Sequence, residues 1–259
     1  MKQPRTRYYT SFSDDFVQTR NQDCRVPEDY PWLPNRFLSG LVYGLAVLFS
    51  AVYLPLGLHV RYRNRGVLRQ AMDTGAFLYC NHTQPFGDVF LPALPCLPGR
   101  IYTVVSAANL AIPVIGRLLP CLGALPIPDS MQGMRRFTAA MEQRLNEKRC
   151  IAIFPEAHVW EYCTRIRPYG DGAFKYPVKF SRPAYAMTVT YQKRRWGRKP
   201  KATVYIDGPF FPDAALTPKG RAARLRDQVY ACMQERSKNS NYDYIRYEPA
   251  PARDVHGVQ

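Results

Sequence analysis

Acidic residues are scarce in this chain: 20 Asp and Glu stand against 36 Lys and Arg in 259 residues, leaving a net charge of +16. Such an excess draws in anionic lipid surfaces, acidic carrier proteins, anionic cofactors or nucleic acid, and charge alone does not choose among them. C-x-x-C pairs are missing too, and the seven cysteines (24, 80, 96, 121, 150, 163 and 232) make an odd, scattered set. That excludes a disulfide framework and a zinc site of ordinary spacing, and it reads as a reducing compartment. Residues 1–36 are polar and rich in Tyr, Asp and Pro, so no secretory signal is expected there. The chain has no internal repeat, no low-complexity tract and no G-x-S-x-G nucleophile elbow. With no recognised nucleic-acid motif either, no nucleic-acid partner is expected. Aromatics at 13% are too frequent for a disordered chain, and 46% apolar residues suffice for one sizeable core.

What the chain does have begins with one long apolar run, Phe37–Val60, without Asp, Glu, Lys or Arg. At about 1.5 Å per residue, a helix of that length crosses a hydrocarbon layer of about 30 Å. Pro55 and Gly57 break its last turns, so a helix or hairpin lying in one leaflet is as good a reading as a full span. A buried core helix is the bland reading. Arg36 precedes the run, whereas Arg61, Arg63 and Arg65 follow it, which favours a main domain on the cytoplasmic face.

Beyond Val60, β-branched and aromatic runs alternate with helical patterns, the mark of an α/β domain. Strands are predicted at Val60–Tyr62, Ala76–Tyr79, Ile101–Val105, Ile151–Phe154, Ala186–Tyr191 and Ala202–Ile206. Ser130–Lys148 is the clearest helix, with Met131, Met134, Phe137, Met141 and Leu145 on its inner face and Arg135, Arg136, Arg144 and Lys148 outside. Another follows Thr217-Pro218, burying Leu225, Val229 and Met233. The domain is thus expected over 61–238, after a polar segment (1–36) and a membrane-associated segment (37–60), with an irregular tail over 239–259. Leu110–Leu125 is apolar and reads as core, or else as the lining of a groove. Residues 193–201, KRRWGRKPK, carry six positive charges between two strands and form either a solvated hairpin tip or a headgroup-docking surface.

Chemistry concentrates in two places. The strand Ala76–Tyr79 runs into Cys80-Asn81-His82-Thr83-Gln84-Pro85-Phe86-Gly87-Asp88. An imidazole just past a strand's carboxyl end sits where open α/β sheets expose reactive groups. It is the natural base for taking a hydroxyl proton near neutral pH. Such a base needs an anion on its other nitrogen, and Asp88 is the local carboxylate. The second place is Ile151–Phe154 followed by Pro155, Glu156, Ala157 and His158, which sets a carboxylate on the same rim if the strands are neighbours.

Together these blocks resemble the glycerolipid acyltransferase family typified by 1-acylglycerol-3-phosphate acyltransferases. The resemblance lies in Asn81-His82 with Asp88, then Phe154-Pro155-Glu156 about seventy residues on, with Gly123–Pro128 between and Arg182-Pro183-Ala184 after. It implies a central mixed sheet flanked by helices, a membrane-embedded element ahead of it, and direct acyl transfer to a hydroxyl without a covalent acyl-enzyme. His82 is then the general base oriented by Asp88. The donor is acyl-CoA or acyl-carrier protein and the acceptor a lysophospholipid or related glycerolipid; no cofactor or metal is implied. Membrane lipids are the expected partners.

The chain departs from the family pattern in three places. Five residues instead of four separate His82 from Asp88. Asp129 stands where the intermediate motif ends in arginine, and Ala157-His158-Val159 replaces Gly-Thr-Arg. The missing arginines are those expected to grip an acceptor phosphate. Arg135, Arg136, Arg165 and Arg167 are the substitutes nearest in sequence, and Asn81, Pro155 and Glu156 complete the expected substrate-binding set. The alternatives are a catalytically inactive relative and a basic membrane-binding protein without activity.

Overall fold

A computed structural model describes residues 4–17 and 23–251. In chain order the elements are β1 (Arg5–Tyr9), α1 (Arg36–Leu56), β2 (Arg61–Arg63), α2 (Ala71–Thr74), β3 (Ala76–Cys80), β4 (Ile101–Val105), α3 (Ile115–Leu122), β5 (Ala124–Pro126), α4 (Met131–Asn146), β6 (Cys150–Ile153), α5 (Lys175–Phe180), β7 (Ala184–Gln192), β8 (Lys201–Phe210), α6 (Pro218–Ser237) and β9 (Ile245–Pro249). Seven strands form one sheet in the order β2-β8-β7-β3-β6-β4-β5, and β3 stands in the middle. All neighbours are parallel except β7 and β8. This is the expected α/β architecture, with a mixed central sheet.

Strand alternation divides the core. Along β3, Leu78 and Cys80 face a layer shared with Leu54, Leu68, Leu91 and Met187. Phe77 and Tyr79 face Phe137, Met141, Leu225, Val229 and Met233 of α4 and α6. Every residue of β3 is buried, as a central strand covered on both faces must be. Ser130 caps α4 by accepting from the Gly133 N–H, and Thr217 caps α6 in the same way at Gly220.

Two helix readings change. Arg144 is buried rather than exposed: its guanidinium lies 4.6 Å from the Tyr102 ring centroid, donates to the Trp32 carbonyl and pairs with Glu147. Met131, expected inside, is largely exposed because the helix begins there at the rim of the sheet. The tail expected to be irregular contains β9, which pairs in parallel with β1 of the polar N-terminal segment. Pairing is what makes these polar stretches strands, since neither shows a clean apolar alternation. Residues 252–259 of that tail lie outside the described residues.

The apolar run becomes α1, 21 residues capped by Asn35, which accepts from the Phe37 and Leu38 N–H groups. Only 17% of its apolar window is buried, so it is not a core helix. One side packs: Leu54 is fully buried, Tyr43 Oη accepts from the Ile101 N–H at 3.1 Å, and Ser39 donates to the Cys121 carbonyl of α3. The other side is bare. The stretch read as core at 110–125 is half-exposed, with Val114, Ile115 and Leu118 outward and Pro120 and Leu125 inward.

Leu54 is the fully buried apolar anchor of α1, so Leu54→Ala should cost about 2–5 kcal/mol through lost burial and the cavity left behind. Denaturant unfolding checks this; a loss within error would show that α1 is not integrated with the domain.

Candidate active site

The middle strand β3 delivers its last residue, Cys80, to the carboxyl rim of the sheet, and the chain then turns through 81–88. Asn81 is buried and clamps this exit to β7. Its amide donates to the Val189 carbonyl at 3.1 Å, and its oxygen accepts from the Val189 N–H at 2.8 Å. Asn81, expected in the substrate-binding set, is buried and bonds here to the main chain of β7.

His82 comes next, with its side chain 20% exposed and its ring centroid 4.6 Å from that of Phe154. Its Nδ1 lies 2.7 Å from Asp88 Oδ2. The same oxygen accepts from the Thr83 N–H at 2.7 Å and the Gln84 N–H at 2.9 Å. Three contacts on one oxygen of a carboxylate only 1% exposed fix its position. The extra residue between His82 and Asp88 is absorbed by the Pro85–Gly87 turn. Leu58 packs closely over Gly87, where a Cβ would lie 2.6 Å from its Cδ1 and make that side chain shift. Phe86, at the turn's apex, packs its ring 5.8 Å from Tyr53 and 6.4 Å from Phe49 of α1. With Nδ1 facing Asp88, Nε2 is the nitrogen left to meet a substrate, and it has no protein partner among the described residues.

Glu156 follows β6, the parallel neighbour of β3, as expected. Its carboxylate is fully buried: Oε2 accepts from the His82 N–H at 3.1 Å and from the Arg167 guanidinium at 3.0 Å, and Oε1 accepts from the Arg167 N–H at 2.9 Å. Burial pushes this carboxyl upward, against the pull of Arg167 and the two N–H groups. Glu156 holds the main chain of the base. Arg167, offered as a phosphate ligand, is spent on the same pair. It also donates to the carbonyls of His158 and Phe12 and lies 4.9 Å from the Trp160 ring centroid. Glu156 and Arg167, both expected in the substrate-binding set, are thus buried and bonded to each other and to the main chain.

The other expected residues scatter. Pro155 is half-buried between Phe154 and Glu156. Arg165 is exposed and donates to the Tyr247 carbonyl of β9 at 2.6 Å. Arg135 and Arg136 lie on the exposed side of α4, Arg136 donating to the Glu28 carbonyl. Asp129, in the motif-arginine position, pairs at 3.2 Å with Arg25 on the surface. His158 lies 3.6 Å from Asp15.

The sequence reading missed the groups that support the turn. Tyr191 of β7 accepts from Gln84 at 2.9 Å and shares a 2.7 Å hydrogen bond with the Thr83 hydroxyl. The Trp160 and Tyr162 N–H groups donate to the carbonyls of His82 and Thr83. Trp160 is in turn packed by Tyr9, Phe16 and Tyr247, so β1 and β9 brace the site from behind. Nothing local marks Tyr191 or Trp160; the only signal was their aromatic type near the two motifs. Among the described residues, no group of three or more His, Cys, Asp or Glu is placed to hold a metal.

An imidazole held by a buried carboxylate at the end of the middle strand is the arrangement of an enzyme that activates a hydroxyl or water. The chain belongs to the acyltransferase family: residues 59–191, half of its length, match the family model described as Acyltransferase. It is an acyltransferase enzyme. Its fold is similar to the crystal structure of the 1-acyl-sn-glycerophosphate (LPA) acyltransferase PlsC from Thermotoga maritima, with a TM-score of 0.54 and 12% identity over 79% of this chain and 83% of that one. No curated protein matches the chain by sequence.

Glu156→Gln keeps the shape but leaves the Arg167 charge buried without its counterion, a loss of about 3–5 kcal/mol. Calorimetric melting and steady-state kinetics on the folded fraction check it. The expected result is a large fall in Tm with an unchanged acceptor KM; a raised KM at unchanged Tm would return Glu156 to the substrate.

Proposed function

We propose that this enzyme transfers a fatty acyl group from the thioester of acyl-CoA or acyl-carrier protein to the hydroxyl of a lysophospholipid or related glycerolipid acceptor. The observation that carries the reading is the 2.7 Å contact between His82 Nδ1 and Asp88. With Nδ1 engaged by Asp88, Nε2 is the nitrogen available to act as general base. In the step itself, Nε2 takes the acceptor hydroxyl proton as its oxygen bonds to the thioester carbon. The C–S bond then breaks, and the thiolate leaves with the proton carried by the imidazolium. Asp88 steadies the positive ring while it exists.

The acyl chain fits the same picture. Phe86 of the His–Asp turn packs on α1, whose other side is bare and apolar, and α3, with Val114, Ile115 and Leu118 outward, packs on the same helix. These apolar surfaces are available to a lipid-borne chain. We infer that the domain works at the cytoplasmic face of a membrane, on the arginine excess after α1 and the bare apolar side of that helix.

With the motif arginines absent and Arg167 enclosed, the acceptor phosphate lacks its usual grip. Lysophosphatidic acid therefore holds no built-in advantage over lysolipids with larger headgroups. The experiment is an acceptor screen of purified protein with labelled acyl-CoA and acyl-carrier protein. Lysophosphatidic acid, other lysolipids, glycerol phosphate and non-phosphorylated alcohols are compared. His82→Ala should lower kcat by about 10²–10⁴-fold, the range of a lost general base, with thermal stability retained. Asp88→Asn should fall in the same range, because the ring loses its tautomer and its counterion. A folded His82→Ala protein with wild-type kcat would refute the assigned base.

A further inference from the structure

An open pocket of about 440 Å³ lies outside the His82 site, where the carboxyl end of α1 meets the tip of the β7–β8 hairpin. Arg61, Arg194, Arg195 and Lys201 line it with His59, Trp196 stands at its edge, and no carboxylate is among its walls. Its origin is in the topology. The parallel register sets Arg61 of β2 beside Thr203 of β8, two residues after Lys201. The hairpin then carries Arg194 and Arg195 back over the same edge, turning at Gly197, whose φ is +89°. None of these cations forms an ion pair with a carboxylate among the described residues, although the protein pairs arginines with acids elsewhere. Four unneutralised cations around one cavity repel each other, a cost that an incoming anion reverses.

The surroundings say where that anion sits. Leu41, Leu45, Leu48, Val52 and Leu56 recur at helical spacing on α1, each more than half exposed, so an apolar stripe runs the length of the helix and ends beside the pocket wall at Pro55. Trp196 is 77% exposed at the hairpin tip. A bare apolar stripe, an exposed tryptophan and a basic hollow beside them match a helix lying in the interface, with its stripe toward the acyl chains and the cations at the level of the headgroup phosphates.

We propose that this pocket binds the headgroup phosphate of an anionic phospholipid, which docks the enzyme with α1 lying along the membrane interface. The bound lipid is a docking ligand and not a substrate. The inference rests on the membrane reading given above and adds to it a defined site and a lipid charge requirement.

The test is sedimentation of the full-length protein with phosphatidylcholine vesicles, with and without phosphatidylglycerol. The two variants are the pocket triple Arg194→Gln/Arg195→Gln/Lys201→Gln and the equal-charge control Lys193→Gln/Arg198→Gln/Lys199→Gln on the same hairpin. Wild type should bind both vesicle types and prefer those with phosphatidylglycerol. At about 1 kcal/mol per surface cation, the pocket triple should lose about a hundred-fold in partitioning to phosphatidylglycerol vesicles and retain its phosphatidylcholine binding. The control triple should lose clearly less. Equal losses in the two triples would reduce the site to diffuse attraction and overturn the proposal. So would displacement of wild type from vesicles by CoA at concentrations where inorganic phosphate has no effect, or tighter binding to duplex DNA at the same salt. Failure to bind any vesicle would instead overturn the membrane reading itself. Unchanged melting temperatures and unchanged acyl transfer to a micellar acceptor in both triples confirm that only docking has been altered.

Discussion

The Glu156 carboxylate, sealed beneath the sheet's rim, joins three segments: the exit of β3 through the His82 N–H, the end of β6 on which it stands, and the loop carrying Arg167. Removing two charges from water is expensive, and their mutual attraction offsets that cost only when every remaining hydrogen-bonding position is satisfied. Here both oxygens are occupied and the guanidinium is shared among carboxylate, carbonyls and an indole face, with only its Nε left without a partner. Such an arrangement tolerates little displacement, so it fixes the main chain from which the His82 ring projects. The ring's own orientation is then left to Asp88.

Two supports therefore act on one imidazole from opposite directions. Glu156 holds its backbone, and Asp88 holds its Nδ1, itself pinned by two N–H groups of the turn it closes. Tyr191 and Asn81 tie that turn to β7, while Trp160 and Tyr162 tie it to the loop behind. Preorganisation of this kind lets a modest base act without spending free energy on reorganisation when the substrate arrives. Phe86 couples the same turn to α1, so the apolar helix and the base are parts of one packed unit.

Much of this was legible beforehand, and the exceptions share a cause. The six predicted strands all appear in the main sheet within a few residues, since buried central strands are written as apolar runs. His82 and Asp88 were readable because strand end, base and carboxylate lie within nine residues from Cys80 to Asp88. β1 and β9 were not, because their stability comes from pairing with each other across the chain's length. Asn81, Glu156 and Arg167 were assigned to substrate because polar residues near a base invite that reading; only burial reveals that their hydrogen bonds point inward. Arg144 failed for a related reason, as periodicity cannot register an aromatic face waiting on the other side. The exposed face of α1 shows the converse: composition permitted core or membrane, and only packing separates them.

The account stands on a neutral imidazole whose proton is kept at Nδ1 by Asp88. Nitrogen NMR of histidine-labelled protein, wild type beside Asp88→Asn, addresses this most directly. The predicted spectrum shows His82 protonated at Nδ1 with a bare Nε2 in the wild type, and a shift toward the other tautomer in the variant. A wild-type ring carrying its proton on Nε2 would contradict the account.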